Sequence, residues 1–375
     1  MRLVIFMPVT STWSQEAALR IADAGHEVHV VDFLELGNLI GYINQREDLL
    51  RPAIERLRAG VADIHYIHSR FRSRWRYVSC AAELNRICRR CNADFLLTLW
   101  GSGWATMSHL SGFRPYAVYV GGGDVIRVSG IQKFISRRAM QAAAVVFANG
   151  NHLAERARVF APAANVIPLY YGVDSERFSP GAHGDGPVHI VCTRGFHQVY
   201  NNGYLIEGLA ALPAGLPPFR VTFVSSGELI GQVRALAARI LPPDLRRNVA
   251  FLDGVTADGM VETLRSDDIY VSLSRYDGAS ISLWEGMACG LFPVVSDIPA
   301  NQEWVDAAGE NGILVPLDQP RVLAEALHRA IVDRPLRERA KAVNRQRVLD
   351  RADSRTNMTK LTAILQSILT SRKDR

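Results

Sequence analysis

What most constrains the fold of this 375-residue chain is a recurring alternation. A short apolar run is followed by a loop of small or polar residues, and then by apolar residues at helical spacing. The runs read at 2–7, 27–31, 63–68, 95–100, 116–120 and 144–148, then at 188–193, 219–225, 249–253, 269–274, 293–296 and 312–315. Between the first two, Ala17, Ala18, Leu19, Ile21 and Ala22 mark a helix that Gly25 ends. A β-α-β opening of this kind specifies parallel strands joined by a right-handed crossover. The alternation recurs from residue 2 to residue 315, so an α/β architecture is expected in both halves of the chain.

A chain this long exceeds one ordinary core and fits two domains. The break is expected after NVIPLYYGVDSERFSP (165–180), where GAHGDGP reads as a linker. The expected division is 1–180, 181–350, and a C-terminal helix over 351–375 whose Leu361, Ile364, Leu365, Ile368 and Leu369 lie on one face.

The stretch 271–297, VSLSRYDGASISLWEGMACGLFPVVSD, carries most of the functional signal. A strand runs into Asp277 and Gly278, and a helix carrying Glu285 follows. Ligands of open α/β sheets bind at the carboxyl ends of the strands. Backbone N–H groups of Ala279, Ser280, Ile281 and Ser282 fall at the helix start, where unpaired donors and the helix dipole favour an anion such as a diphosphate. Glu285, deeper in that helix, suits a ribose diol. Arg194, at the carboxyl end of the run 188–193, is placed to clamp a diphosphate through two N–H groups.

The D-x7-E segment resembles the Glu-x7-Glu signature of the retaining GT4 glycosyltransferases, which have the GT-B fold. That fold consists of two Rossmann-like domains facing across a cleft, with a C-terminal helix crossing back to the N-domain. The resemblance implies an acceptor domain over 1–180 and a nucleotide-sugar donor domain over 181–350. It places Asp277 beside the donor sugar and Glu285 on the nucleotide ribose. It also implies that Ser226, Gly227 and Val255 line the nucleotide, and that Asp124 belongs to an interdomain catalytic loop.

Four departures accompany the resemblance. Asp replaces Glu at 277, shortening the side chain by about one C–C bond. Ser and Thr occupy the first loop, where the family has Gly-Gly. Gly122 stands where many members carry histidine, and Asn202 stands in the 194–203 loop where they carry lysine. Asp124 also reads equally well as a helix cap.

No Asp-x-Asp occurs, so neither a metal nor another cofactor is expected beyond a UDP- or GDP-sugar donor. Cys88 and Cys91 form a CRRC without a second pair at zinc-site spacing, and five cysteines suggest reduced thiols. Within 69–92, seven arginines stand against Glu83 alone, interleaved with Phe71, Trp75 and Tyr77. A solvated basic face and peripheral contact of the Arg70 to Arg90 region with an anionic membrane are both open; nucleic acid is not expected. No apolar run reaches eighteen residues, so a cytoplasmic location, including the inner face of the membrane, is expected.

The expected activity is transfer of a sugar from a nucleotide-diphosphate sugar to an acceptor hydroxyl of a glycan or lipid-linked acceptor, with retention. A non-catalytic nucleotide-sugar-binding protein and a GT-B epimerase stay open beside it.

Overall fold

The computed structural model describes residues 1–33, 47–69, 75–126, 128–181 and 186–373. They form two compact units, Met1–Tyr171 with Ser354–Arg375, and Gly172–Asp353.

The first unit is built on a seven-stranded sheet: β1 (Arg2–Phe6), β2 (Glu27–Phe33), β3 (Asp63–Ile67), β4 (Phe95–Leu99), β5 (Tyr116–Val120), β6 (Val145–Ala148) and β7 (Val166–Pro168). Their order is β3-β2-β1-β4-β5-β6-β7, and every neighbouring pair is parallel. Helices between the strands cover the sheet, so β4, β5 and β6 are buried along their whole length. Their sequences FLLTL, YAVYV and VVFA are accordingly near-continuous apolar runs rather than alternating ones. Trp104, fully buried, packs on Phe6 with ring centroids 4.4 Å apart.

The second unit repeats the plan with six strands: β8 (Val188–Cys192), β9 (Phe219–Val224), β10 (Val249–Leu252), β11 (Ile269–Ser272), β12 (Phe292–Ser296) and β13 (Ile313–Val315). The order is β10-β9-β8-β11-β12-β13, again all parallel. In both sheets the first strand lies between its second and fourth. The chain therefore reverses its direction of progress at β1/β4 and at β8/β11, and those are the places where a doubly wound sheet opens a crevice.

The segment 165–180, expected to close the first domain, has two structural parts. Val166–Pro168 is a seventh strand, paired with β6 at the sheet's edge. An edge tolerates Pro168 because its missing N–H leaves no central ladder bond unmade. Residues from Gly172 onward pack with the second unit: Arg345 donates to the carbonyls of Ser175 at 2.7 Å and Phe178 at 2.6 Å. Residues 182–185 of the expected linker lie outside the described residues.

The C-terminal helix, Ser354–Lys373, buries Met358, Leu361 and Leu365 and packs on the helix Thr12–Asp23 of the first unit. Asn357 donates to the carbonyl of Tyr170 at 3.0 Å. Its apolar stripe is thus a packing face.

Candidate functional site

Arg194 lies two residues beyond β8, and Asp277 lies in the loop after β11. Because β8 and β11 are adjacent, the reversal of strand order brings these side chains together from 83 positions apart. The Arg194 Nη2–H donates to Asp277 Oδ2 at 2.7 Å, and Nη1–H donates to Ser282 Oγ at 2.9 Å and Ser280 Oγ at 3.4 Å. Its guanidinium lies 4.1 Å from the centroid of the Tyr200 ring. Burial works against the guanidinium charge, but Asp277, Tyr200, Tyr270 and Cys192 together more than offset it, and the pKa moves up. The group is a fixed cation.

The loop carrying Arg194 is held by its own neighbours. Asn202 opens the helix Asn202–Ala210 and donates through Nδ2 to the carbonyls of Arg194 and Gly195, each at 3.1 Å. Its Oδ1 accepts from the Cys192 thiol at 3.6 Å. Both ends of the side chain therefore brace the loop that carries Arg194. Ser226 and Gly227 lie against the same loop, with Phe196 N–H donating to the Ser226 carbonyl at 2.9 Å. Gly227 has φ +149°, and a Cβ there would come within 2.6 Å of the Phe196 carbonyl oxygen. Only glycine allows that approach.

The helix Ile281–Ala288 begins at Ser280, whose side chain makes no cap to it. Ser280 is buried, while Ile281 and Ser282 are half-buried, so the helix start stays accessible beside Arg194. Tyr270, the second residue of β11, shares a 2.8 Å hydrogen bond with Ser282. One turn further, Glu285 makes no hydrogen bond through its carboxylate among the described residues, and burial raises its pKa to about 7 against the opposing pull of Arg194 and Arg177. A carboxylate so raised, with no internal donor, is suited to hydroxyl groups brought by a ligand. Gly278 and Ala279 join Asp277 to this helix. Val255 stands half-buried in the loop after β10, ahead of Thr256, which caps the next helix through Gly259 N–H at 3.1 Å.

The equivalent crevice of the first unit has a different character. Asp124, fully buried, accepts from the N–H groups of Gly101 at 2.6 Å, Gly122 at 2.7 Å and Gly121 at 3.1 Å. Burial raises its pKa in spite of those donors. It staples the loop after β4 to the loop after β5. Around it stand aromatic rings: Trp13 lies 5.1 Å from Trp100 and 4.6 Å from Tyr171, and Tyr171 stacks on Tyr119 at 3.7 Å.

Sequence reading did not single out Tyr200 or Tyr270. Their signal was faint, since each is one aromatic within a strand or a loop, and only the β8/β11 pairing reveals what they touch.

Of the basic segment, 70–74 lie outside the described residues. On the helix Trp75–Arg90, Arg86 is paired with Glu83, and Arg89 donates to Asn85 at 3.0 Å. No helix of the described residues is long and apolar enough to cross a membrane.

Two Rossmann-like units with these strand orders and a C-terminal helix on the first define the GT-B class of fold. A glycosyltransferase from Rickettsia africae ESF-5 superposes with a TM-score of 0.77 at 15% identity, covering 98% of each chain. Anabaena HepE, in a structure with UDP and glucose, gives 0.77 at 15% identity, over 98% of this chain and all of the other. Residues 187–333 match the family model described as Glycosyl transferases group 1, so the second unit carries that family's sequence pattern. The EpsF protein of Bacillus subtilis (strain 168) is 30% identical over 182 residues, 44% of this chain and 45% of EpsF. GDP-mannose:cellobiosyl-diphosphopolyprenol alpha-mannosyltransferase of Xanthomonas campestris is 29% identical over 174 residues, 45% of this chain and 43% of that protein. The chain thus spans less than half the length of these curated relatives.

Proposed function

We propose that the protein is a glycosyltransferase that uses a nucleotide-diphosphate sugar and retains the anomeric configuration. The observation that carries this reading is the grouping, at the β8/β11 reversal, of a buried arginine, an open helix start and a carboxylate without an internal donor. The diphosphate takes the Arg194 fork and the N–H groups of Ser280 to Ser282, and Glu285 receives the ribose hydroxyls. Departure of the nucleoside diphosphate builds charge on the β-phosphate, and a fixed cation with preoriented amides stabilises that charge as it develops. Asp277 holds the guanidinium in its plane and meets the donor sugar's hydroxyls. The acceptor belongs to the first unit, where Trp13 and Trp100 offer flat apolar faces that suit a sugar ring.

UDP and UDP-glucose in structures of Anabaena HepE, and GDP-mannose in the name of the Xanthomonas enzyme, indicate the donor chemistry to try first. Incubation with a panel of UDP- and GDP-sugars should release nucleoside diphosphate. NMR of the product should show the donor's anomeric configuration, and added Mg2+ or Mn2+ should not raise the rate. Nucleotide binding without turnover would identify a binding protein, and conversion of donor alone to an epimer would identify an epimerase. Either outcome sinks the transferase reading.

A further inference from the structure

At the opposite edge of the first sheet, where its strands begin, a second cluster has formed from three distant parts of the sequence. His29 is the third residue of β2, His65 the third of β3, and Cys91 follows the helix Trp75–Arg90. His29 pairs in register with Asp63, two residues before His65. Alternation along the strands therefore puts Glu27, His29, Asp63 and His65 on one face. One ligand atom from each of His29, His65 and Cys91 falls within 4.8 Å of the others, and the Cys91 Sγ lies 3.7 Å from His65 Nε2. The sulfur and nitrogen of a tetrahedral zinc site stand about 3.5 Å apart, from bond lengths of roughly 2.3 and 2.0 Å.

We propose that His29, His65 and Cys91 bind a zinc ion. Two imidazoles and a thiolate are a borderline-soft donor set that selects Zn2+ over Mg2+ or Ca2+. Each histidine has a carboxylate beside it: Glu27 Oε1 is 3.2 Å from His29 Nε2, and Asp63 Oδ2 is 3.5 Å from His65 Nε2. The buried Nδ1 of His29 has no hydrogen-bond partner among the described residues, so with Nε2–H donated to Glu27 it keeps a free lone pair. Carboxylates that orient the ring in this way raise the basicity of the ligating nitrogen. Asp63 stands beside the three-residue cluster rather than within it, so a solvent molecule supplies the fourth ligand, and the carboxylate and the thiolate together offset the charge of the dication. Arg90 lines the same open depression of about 560 Å³, where its charge opposes the cation. On binding, the Sγ–H bond breaks, its proton leaves to solvent, and the sulfur lone pair forms the Zn–S bond. The ion ties the starts of β2 and β3 to the end of the helix that crosses beneath them.

Titration of the full chain with Co2+, the spectroscopic stand-in for zinc, should give one equivalent of tetrahedral visible bands together with thiolate-to-cobalt charge transfer in the near ultraviolet. The other four cysteines are buried, so the charge-transfer band should vanish in Cys91→Ser. Competition for Zn2+ against a chromophoric chelator should show at least about 100-fold weaker binding for Cys91→Ser and His65→Ala, and about 10-fold for Glu27→Gln. Far-ultraviolet circular dichroism of each variant separates loss of ligand from loss of fold. Octahedral cobalt without charge transfer, no zinc binding below about 100 µM, or wild-type affinity in folded Cys91→Ser overturns the proposal.

Discussion

The two sheets share one topology, yet their reversal points are used in opposite ways. In the first unit the acid beside the crevice, Asp124, is filled by three backbone N–H groups. In the second, Glu285 has none among the described residues, and Arg194 reaches two hydroxyls and one carboxylate. A carboxylate that accepts from the backbone shapes loops, whereas one left short of donors is held ready for another molecule. Shared strand order thus says where a ligand can sit, and the state of the polar groups says whether the protein has kept them for itself.

The largest test of this contrast is Arg194→Met. Losing the cation aimed at the leaving group should lower kcat about 1000-fold or more, roughly 4 kcal/mol, measured as nucleoside diphosphate release. Asp124→Ala should act on stability instead. Three N–H groups, two buried and one half-buried, lose their acceptor, so urea unfolding should report a loss of about 3 kcal/mol. A folded Asp124→Ala of unchanged stability but no activity would break the comparison. Glu285→Gln should weaken nucleotide binding about 10- to 100-fold in calorimetry while stabilising the unliganded fold near neutral pH. The folded-state pKa of Glu285, about 7, lies above the ordinary 4.5. The wild type is therefore free of the penalty below pH 4.5 and loses stability as the pH rises from 4.5 through 7. The gap between variant and wild type should open over that window and reach on the order of 1–3 kcal/mol above it. Tyr200→Leu should have the smallest effect, about 1 kcal/mol in nucleotide affinity, from the loss of the ring beneath the guanidinium.

The strands were legible because parallel strands buried on both faces read as apolar runs. Most observed ends, such as Tyr116–Val120 and Val188–Cys192, fall within a residue of the runs read from the sequence. Val166–Pro168 escaped notice because Pro, Gly and a turn beyond them look the same at a sheet edge as in a linker. Asp277 and Glu285 were readable since both lie in one contiguous strand-loop-helix segment. Arg194 was readable by its place after a strand, but its pairing with Asp277 depends on which strands are neighbours, and no local pattern encodes that. The His29, His65 and Cys91 cluster is the extreme case. Its local trace is an acid-x-His pair opening two strands, EVH and DIH, and it becomes meaningful only when those strands are placed in register.

The return of residues 354–373 to the first unit bears on how the chain is made. Val173 N–H donates to the carbonyl of Ala352 at 2.8 Å, and Val173 forms an isolated parallel bridge with Asp353, so the second unit's ends meet. The second unit is therefore an insertion with closed ends, able to finish packing while the ribosome still holds residues 354–373. The unit encoded first lacks its last helix until those residues emerge. Synthesis thus reverses the usual order in which N-terminal domains mature earliest. A chain truncated after residue 353 should protect 187–353 from protease while leaving 1–171 open to cleavage.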